Sequence, residues 1–421
     1  MTRLKPIEGL RAYLAFWVLI GHTMVLSGYP SVELSWLPHI FLCGIRAVEI
    51  FMIISGFVIF SLLDKKHENY LQFILRRFFR LWPLFVLLFV ASLPLSFLAS
   101  WNINHSPWLT KANAAALAEA HVGSWWQNVA WHIPAHLTMM HGVVPQGILP
   151  YSPGAFLGPA WSISLEWQFY LCAPLAYAAL ARGGRSVHRI GCCVLVLGLS
   201  WSARHILPEV ELGAFLPFHV DFFFLGAVCY FVYDRASYVI AERINDFVFP
   251  VGFVVATFFL TTTESSWKAG NGGMYSICLW LIFLALMADG ASSICGHLVM
   301  PLFTNKAAQL LGRISYGIYL SHLLVIYVVD YCLISRLPRL TQSWHFIFLF
   351  LSTTAFTVIL ASVLYRLIEK PGIAIGGLLA SKMSRRSEGH AVVVYGGDEY
   401  VGAVPAGHAG SLGVGGQENC L

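Results

Sequence analysis

His22 stands eleven positions after Arg11 in the stretch EGLRAYLAFWVLIGH. On a helix that interval is about 1100°, some 20° past three full turns, with a rise of about 16 Å. Both side chains therefore point the same way, a cation at the membrane surface and a titratable imidazole near mid-bilayer. Glu8 shares that face if the helix reaches it. The pattern suits a long anionic cofactor whose reactive end reaches inward, and a histidine satisfied by a neighbouring helix is the plain alternative. A second candidate is Glu49 in AVEIFMIISGF, placed near the outer third about one turn above His22. It could orient an imidazole or bind a substrate hydroxyl, or pair locally with Arg46 at i, i+3. Ser55–Gly56 in the same run permits close approach of a helix or ligand.

The stretch RRFFRLWP holds Arg76, Arg77 and Arg80. Three guanidiniums within five residues make a bidentate clamp for phosphate, or serve topology and lipid head groups alone. WSISLEWQFY sets Trp161, Ser164, Glu166 and Tyr170 at the outer start of another span. An acid with aromatic and hydroxyl neighbours fits a sugar hydroxyl, the alternative being an aromatic belt with one snorkelling carboxylate. In GRISYGIYLSH, Ser315, Tyr319 and His322 follow i, i+4, i+7, one polar stripe on an apolar helix. RLIEKP ends a further helix, with Pro371 as a stop signal and Glu369 and Lys370 interfacial. Histidines at 105, 121, 132, 136 and 141 do not make a metal site: Pro134 interrupts the His132–His136 pair and no acidic ligand is near. No metal is expected.

Positioning these side chains falls to apolar helices. Of 421 residues, 57% are hydrophobic and only 11% charged, less than half the usual charged share of about 25%. An ordinary water-soluble globule is excluded. A net charge of +5, dispersed along the chain, excludes a nucleic-acid reader. Apolar runs of membrane-spanning length without strand alternation indicate an all-α, polytopic helical membrane protein with about ten transmembrane helices. Their approximate bounds are 12–28, 46–63, 81–100, 163–180, 190–207, 214–233, 247–263, 272–289, 315–334 and 345–365. With a cytoplasmic N-terminus, 20 of the 26 Lys and Arg fall on the inner side. Only Lys111, Lys268, Arg336 and Arg339 lie outside, with Arg46 and Arg204 near or within spans, so both termini are placed in the cytoplasm. Residues 1–375 form the transmembrane domain. Residues 376–421 read as a Gly-rich cytoplasmic tail, largely disordered. The Trp-rich stretch 101–162 belongs to the outer interface, with a re-entrant piece as one reading.

In this order the motifs resemble the acyltransferase-3 family of bacterial multi-spanning membrane O-acyltransferases, over about residues 5–372. Arg11 through His22 matches its R-x10-H element. AVEIFMIISGF matches its acidic–FF–SGF element, with Met52 for the usual aromatic. RRFFRLWP matches R-x-x-R, and WSISLEWQFY matches W-S-x-S-x-E-x-Q-F-Y with Trp167 where a second Glu often stands, so Glu166 acts alone. LGRISYGIYLSH and RLIEKP complete the series. The resemblance implies an enzyme of the bacterial inner membrane with no tightly bound cofactor. Acyl-CoA, acetyl-CoA by preference, is the donor co-substrate, and a hydroxyl of a surface glycan or lipid-linked sugar is the acceptor. Relatives with a fused hydrolase-like domain exist, and the short tail here implies a stand-alone transmembrane enzyme. On this reading His22, Glu49 and Glu166 are catalytic, and Arg11, Arg76, Arg77 and Arg80 bind the donor. Glu8, Ser55, Trp161, Ser164, Tyr170, Tyr319 and His322 support the acceptor side. The rival reading is a proton-coupled transporter with His22, Glu49 and His322 as relay.

Overall fold

The computed structural model describes residues 4–28, 44–66, 68–109, 125–182, 191, 194–196, 198–203, 214–244, 273–289 and 292–388. Among them every regular element is helical. In chain order these are α1 (Lys5–Leu26), α2 (Gly44–Lys65), α3 (Tyr70–His105), the short α4 (Val129–Leu137), α5 (Ala160–Arg182) and α6 (Val220–Ile244). They continue with α7 (Gly273–Asp289), α8 (Ile294–Thr304), α9 (Lys306–Arg313), α10 (Ser315–Arg336), α11 (Gln342–Leu364) and α12 (Lys370–Glu388).

Among the described residues five helical runs are long and apolar enough to cross a membrane: α1, α2, α3, α10 and Gln342–Met383. A sixth results if α7 and α8, bent by 102°, form one broken span. Helices also stand at the expected spans 163–180 and 214–233, but α5 and α6 are less apolar, α5 through Ser162, Ser164, Glu166 and Gln168 and α6 through Asp221 and Asp234. The span at 190–207 is described in pieces, which are helical, and the one at 247–263 lies outside the described residues. So does the expected tail from residue 389 onward, while its first part, 376–388, is corrected from disordered to helical as the end of α12.

Local chemistry explains the helix ends that frame the site. Asn69 caps α3, accepting from the Gln72 amide at 2.9 Å, while the Gln72 side chain accepts from the Asn69 amide at 3.0 Å. This reciprocal box starts α3 seven residues before Arg77, so the arginines sit within an established helix. At 36 residues α3 is about 54 Å long, well beyond a hydrocarbon core of about 30 Å. Pro371 does not stop its helix. It lacks the N–H that would bond the carbonyl four residues back, and the chain widens into a π turn over Tyr365–Glu369 before continuing as α12.

Helices α2 and α6 cross at backbone distance. A Cβ on Gly56 would lie 1.9 Å from the Phe223 carbonyl, and one on Gly226 1.9 Å from the Ile53 carbonyl. Only hydrogen at these two positions admits the crossing. Asp64 ties the same region together, accepting from Tyr177 and Tyr230 hydroxyls at 2.7 Å each. Between α3 and α5, residues 125–159 fold inward as a plug. Trp125, His132, His136, His141, Phe156 and Leu157 are buried there. Met139, Tyr151 and Phe156 hold positive φ angles of 56°, 56° and 61°, strained for residues with side chains and sustained by that burial. The segment is two-sided: the buried side chains pack inward, as the re-entrant reading has it, while Trp131, Ile133, Leu137 and Ile148 stay exposed.

Candidate active site

A cavity of about 780 Å³ opens between α1, α2, α3, α5, α9 and α10. Its wall includes Lys5, Arg11, Arg77, Arg80 and Arg313 against two carboxylates, Glu8 and Glu166. Arg11 and Arg77, which the resemblance assigns to one donor, thus reach the same wall from different helices. The Arg77 guanidinium lies over the rings of Phe73 at 5.7 Å and Tyr170 at 5.8 Å, which hold its fork by cation–π attraction. The Nε atoms of Arg11 and Arg77 are buried without a hydrogen-bond partner. Buried donors in a cationic wall call for an anionic acceptor.

Arg76 is not part of this wall. It turns to Glu68 at 3.0 Å and lies under α12, 3.6 Å from the position of a Cβ on Gly377. Of the two faces the triplet offers, the i, i+3 pair Arg77 and Arg80 enters the cavity, and the i, i+4 partner leaves it. Glu369, placed at the interface by sequence, is instead 2% exposed and 4.0 Å from Arg80. The π turn before Pro371 rotates it inward.

Glu166 is the central carboxylate. Its Oε1 accepts from Ser55 Oγ at 3.0 Å and from the Tyr170 hydroxyl. Ser55 is the twelfth of 22 residues in α2, so Glu166 stands at mid-helix depth and not at the outer face expected for it. The cause is the plug, which carries the start of α5 inward. Ser164 is spent on that join, accepting from the Gly142 amide at 3.1 Å and from Gln168 Nε2 at 3.2 Å. Gln168 in turn donates to the Ala214 carbonyl at 2.7 Å and accepts from the Leu216 amide at 2.9 Å. Trp161 lies outside the cavity wall, its ring 6.1 Å from His219.

Of the polar stripe on α10, Ser315 and Tyr319 line the cavity and His322 sits one turn beyond. The Tyr319 hydroxyl meets Ser162 Oγ at 2.8 Å. His322 is fully buried, and its Nε2 lies 3.1 Å from His22 Nδ1. His22 is half-buried and does not itself line the cavity; the link runs through Tyr319 and His322. Because α1 starts six residues before Arg11, His22 stands near the far end of α1, not at its middle.

Glu49 is not beside that imidazole. A Cβ on Gly44, at the start of α2, would lie 3.5 Å from Val18 Cα, so Glu49 and His22 diverge from this crossing by about 14 Å along the two helix axes. Glu49 holds Arg46 at 2.6 Å and accepts from Ser276 Oγ at 2.5 Å. Sequence reasoning missed Ser162, Tyr316 and Arg313 in the wall. Tyr316 lies inside the GRISYGIYLSH motif, one residue off the stripe, and donates to the Leu81 carbonyl at 2.9 Å.

Two of the three plug histidines, His136 and His141, stack on each other, and His132 lies tilted beside them. His136 and His141 rings are parallel at 4.2 Å, and Phe89 stacks on His136 at 4.6 Å. Among the described residues no group of three or more His, Cys, Asp or Glu is arranged to hold a metal ion. Burial lowers His132 and His141 to about 4 each, and pushes His136 well below the ordinary histidine value.

Comparison with known proteins gives a consistent relationship. The family model described as an acyltransferase domain matches residues 5–366. O-acetyltransferase OatA of Staphylococcus aureus (strain NCTC 8325) is 25% identical over 393 residues, covering 87% of this chain and 57% of that protein. A protein of S. aureus strain COL that carries an O-acetyltransferase name is 24% identical over 395 residues, covering 88% of this chain and 57% of its own length. The chain thus spans a little over half the length of these curated relatives. No solved structure matches it.

Proposed function

The chain belongs to the acyltransferase-3 family, and from that premise we propose that it is an integral-membrane O-acyltransferase of the bacterial inner membrane, with both termini cytoplasmic. The donor is cytoplasmic acyl-CoA, acetyl-CoA by preference. The acceptor is a hydroxyl of a surface glycan, a lipid-linked sugar or a similar molecule. One observation carries this reading. Arg11, Arg77 and Arg80 line a single cavity that Tyr319 also lines, one helical turn before His322 of the His22–His322 pair.

The phosphates of the donor lie against the arginines, where charge-assisted forks suit them, with Lys5 and Arg313 adding attraction at the mouth. The acyl arm extends toward Tyr319. His22 removes the proton from the acceptor hydroxyl as its oxygen attacks the thioester carbon. The C–S bond breaks, and the CoA thiolate takes the proton back from the imidazolium, so the cycle closes without net proton change. A thioester is already activated, and the site contributes mainly position and one proton transfer. Glu166 offers Oε2, engaged by neither Ser55 nor Tyr170, to a substrate hydroxyl or amide N–H. Glu49 keeps α2 and α7 together. The proton-relay reading has less support, since Glu49 is held by Arg46 and Ser276, away from the histidine pair.

Mass spectrometry of surface glycans and small metabolites with and without the gene tests the function. A single missing acyl mass is expected; unchanged spectra under conditions where the protein is made overturn it.

A further inference from the structure

We propose that His322 is a positioning residue that fixes the tautomer of His22 and receives the hydrogen bond of the imidazolium formed during transfer. The inference rests on His22 being the base.

Two backbone carbonyls force the assignment. His322 Nδ1 lies 2.6 Å from the Tyr319 carbonyl, and His22 Nδ1 lies 3.1 Å from the Val18 carbonyl. A carbonyl oxygen only accepts, so each Nδ1 carries a proton. A neutral His322 then presents a lone pair at Nε2, and the atom 3.1 Å away is the protonated Nδ1 of His22. The bond therefore runs from His22 Nδ1–H to His322 Nε2, shared with Val18. The opposite tautomers would set lone pairs against both carbonyls. Among the described residues one nitrogen in the pair is left with a lone pair and no partner: His22 Nε2, the atom a general base requires.

The burial of the two rings separates their tasks. His322 is 0% exposed, while His22 is half-buried. His322 therefore acts on substrate only through its neighbour. When His22 Nε2 takes the hydroxyl proton, its Nδ1–H becomes a charged donor, and the bond to His322 Nε2 strengthens. This is the service that a carboxylate gives an imidazole in hydrolase triads, here supplied by a neutral ring. Among the described residues no carboxylate hydrogen-bonds either imidazole, and the titratable group next to the pair is Tyr319, its ring 6.1 Å from His322 and its hydroxyl on Ser162.

The test uses membrane vesicles that hold the full chain and its own acceptors, with acetyl-labelled acetyl-CoA as donor. His322→Leu removes the acceptor nitrogen and is expected to lower kcat roughly 10- to 100-fold, the loss of one hydrogen bond to a charged group, at unchanged KM for acetyl-CoA. His322→Gln, whose Oε1 can accept from His22 Nδ1–H, is expected to retain most of kcat. Added to His22→Ala, His322→Leu is expected to cost nothing more. The proposal is overturned if inserted His322→Leu keeps native kcat, if the loss falls on KM, or if His322→Gln is as inactive as His22→Ala. The Gln variant decides the matter should the Leu variant fail to insert. Full labelling by His22→Ala would remove the base itself, an outcome distinct from an inactive His22→Ala beside a fully active His322→Leu.

Discussion

Arg76 and Arg77 are chemically identical neighbours that the fold treats differently, and that contrast gives the sharpest test of the cationic cavity. Arg77 lines it, held between the Phe73 and Tyr170 rings. Arg76 pairs with Glu68, and its side chain is 32% exposed. On the proposed function, replacing Arg77 by Gln removes a charge-assisted phosphate contact of about 1.5–3 kcal/mol, hence an expected rise in KM for acetyl-CoA of roughly 10- to 100-fold. Replacing Arg76 by Gln breaks a partly exposed ion pair of about 0–1 kcal/mol that no donor touches, so KM moves by less than about threefold, with any cost in stability instead. Arg77→Lys keeps the charge without the fork and is expected in between. The assay is initial-rate acetyl transfer in vesicles across a range of acetyl-CoA, with protein level normalised by immunoblot. Equal KM shifts for Arg76→Gln and Arg77→Gln would refute the reasoning, because a plain membrane-orientation role cannot distinguish the two.

Three further outcomes follow from named contacts. Glu166→Gln, which removes the charge that Ser55 and Tyr170 face, is expected to lower kcat more than Ser55→Ala does; the reverse order by steady-state kinetics would move the carboxylate out of the reaction. Gly56→Ala drives a Cβ into the Phe223 carbonyl and should lower stability by about 1–3 kcal/mol as overpacking, whereas Gly147→Ala, with nothing within 4 Å, should leave the unfolding midpoint in detergent unchanged. The plug histidines are held neutral, with His132 and His141 lowered to about 4 in the folded chain. The unfolded chain then binds protons first, so stability is level above about pH 6.5 and falls by about 1.4 kcal/mol per pH unit for each of the two between pH 6.5 and 4. Hydrogen exchange of residues 125–159 should rise over that window, and His141→Asn should reduce the slope.

The Glu166–Tyr170 contact at i, i+4 was legible because it depends only on helix geometry, whereas the shared face read for Arg11 and His22 puts Arg11 in the cavity wall and leaves His22 outside it. The stripe on α10 was legible for the same reason. What spacing cannot supply is the rotation of one helix against another. RRFFR offers two faces, and the choice of Arg77 over Arg76 was made by Glu68 and α12. Glu369 moved from interface to interior because Pro371 widens a turn, a change of phase that hydropathy does not register. Depth was misjudged for Glu166 because a sequence of mixed Trp, Pro and His did not announce an inward plug. Glu49 followed the local pair that its i, i+3 spacing with Arg46 allowed.

The most direct measurement is the structure of the full chain in lipid discs with acetyl-CoA bound. The account places the coenzyme's phosphates within about 2.7–2.9 Å of guanidinium nitrogens of Arg11, Arg77 or Arg80, with the acetyl group on the Tyr319 side and approachable by His22 Nε2. Coenzyme bound elsewhere, or bound here in the opposite direction with its phosphates toward the histidine pair, would contradict it.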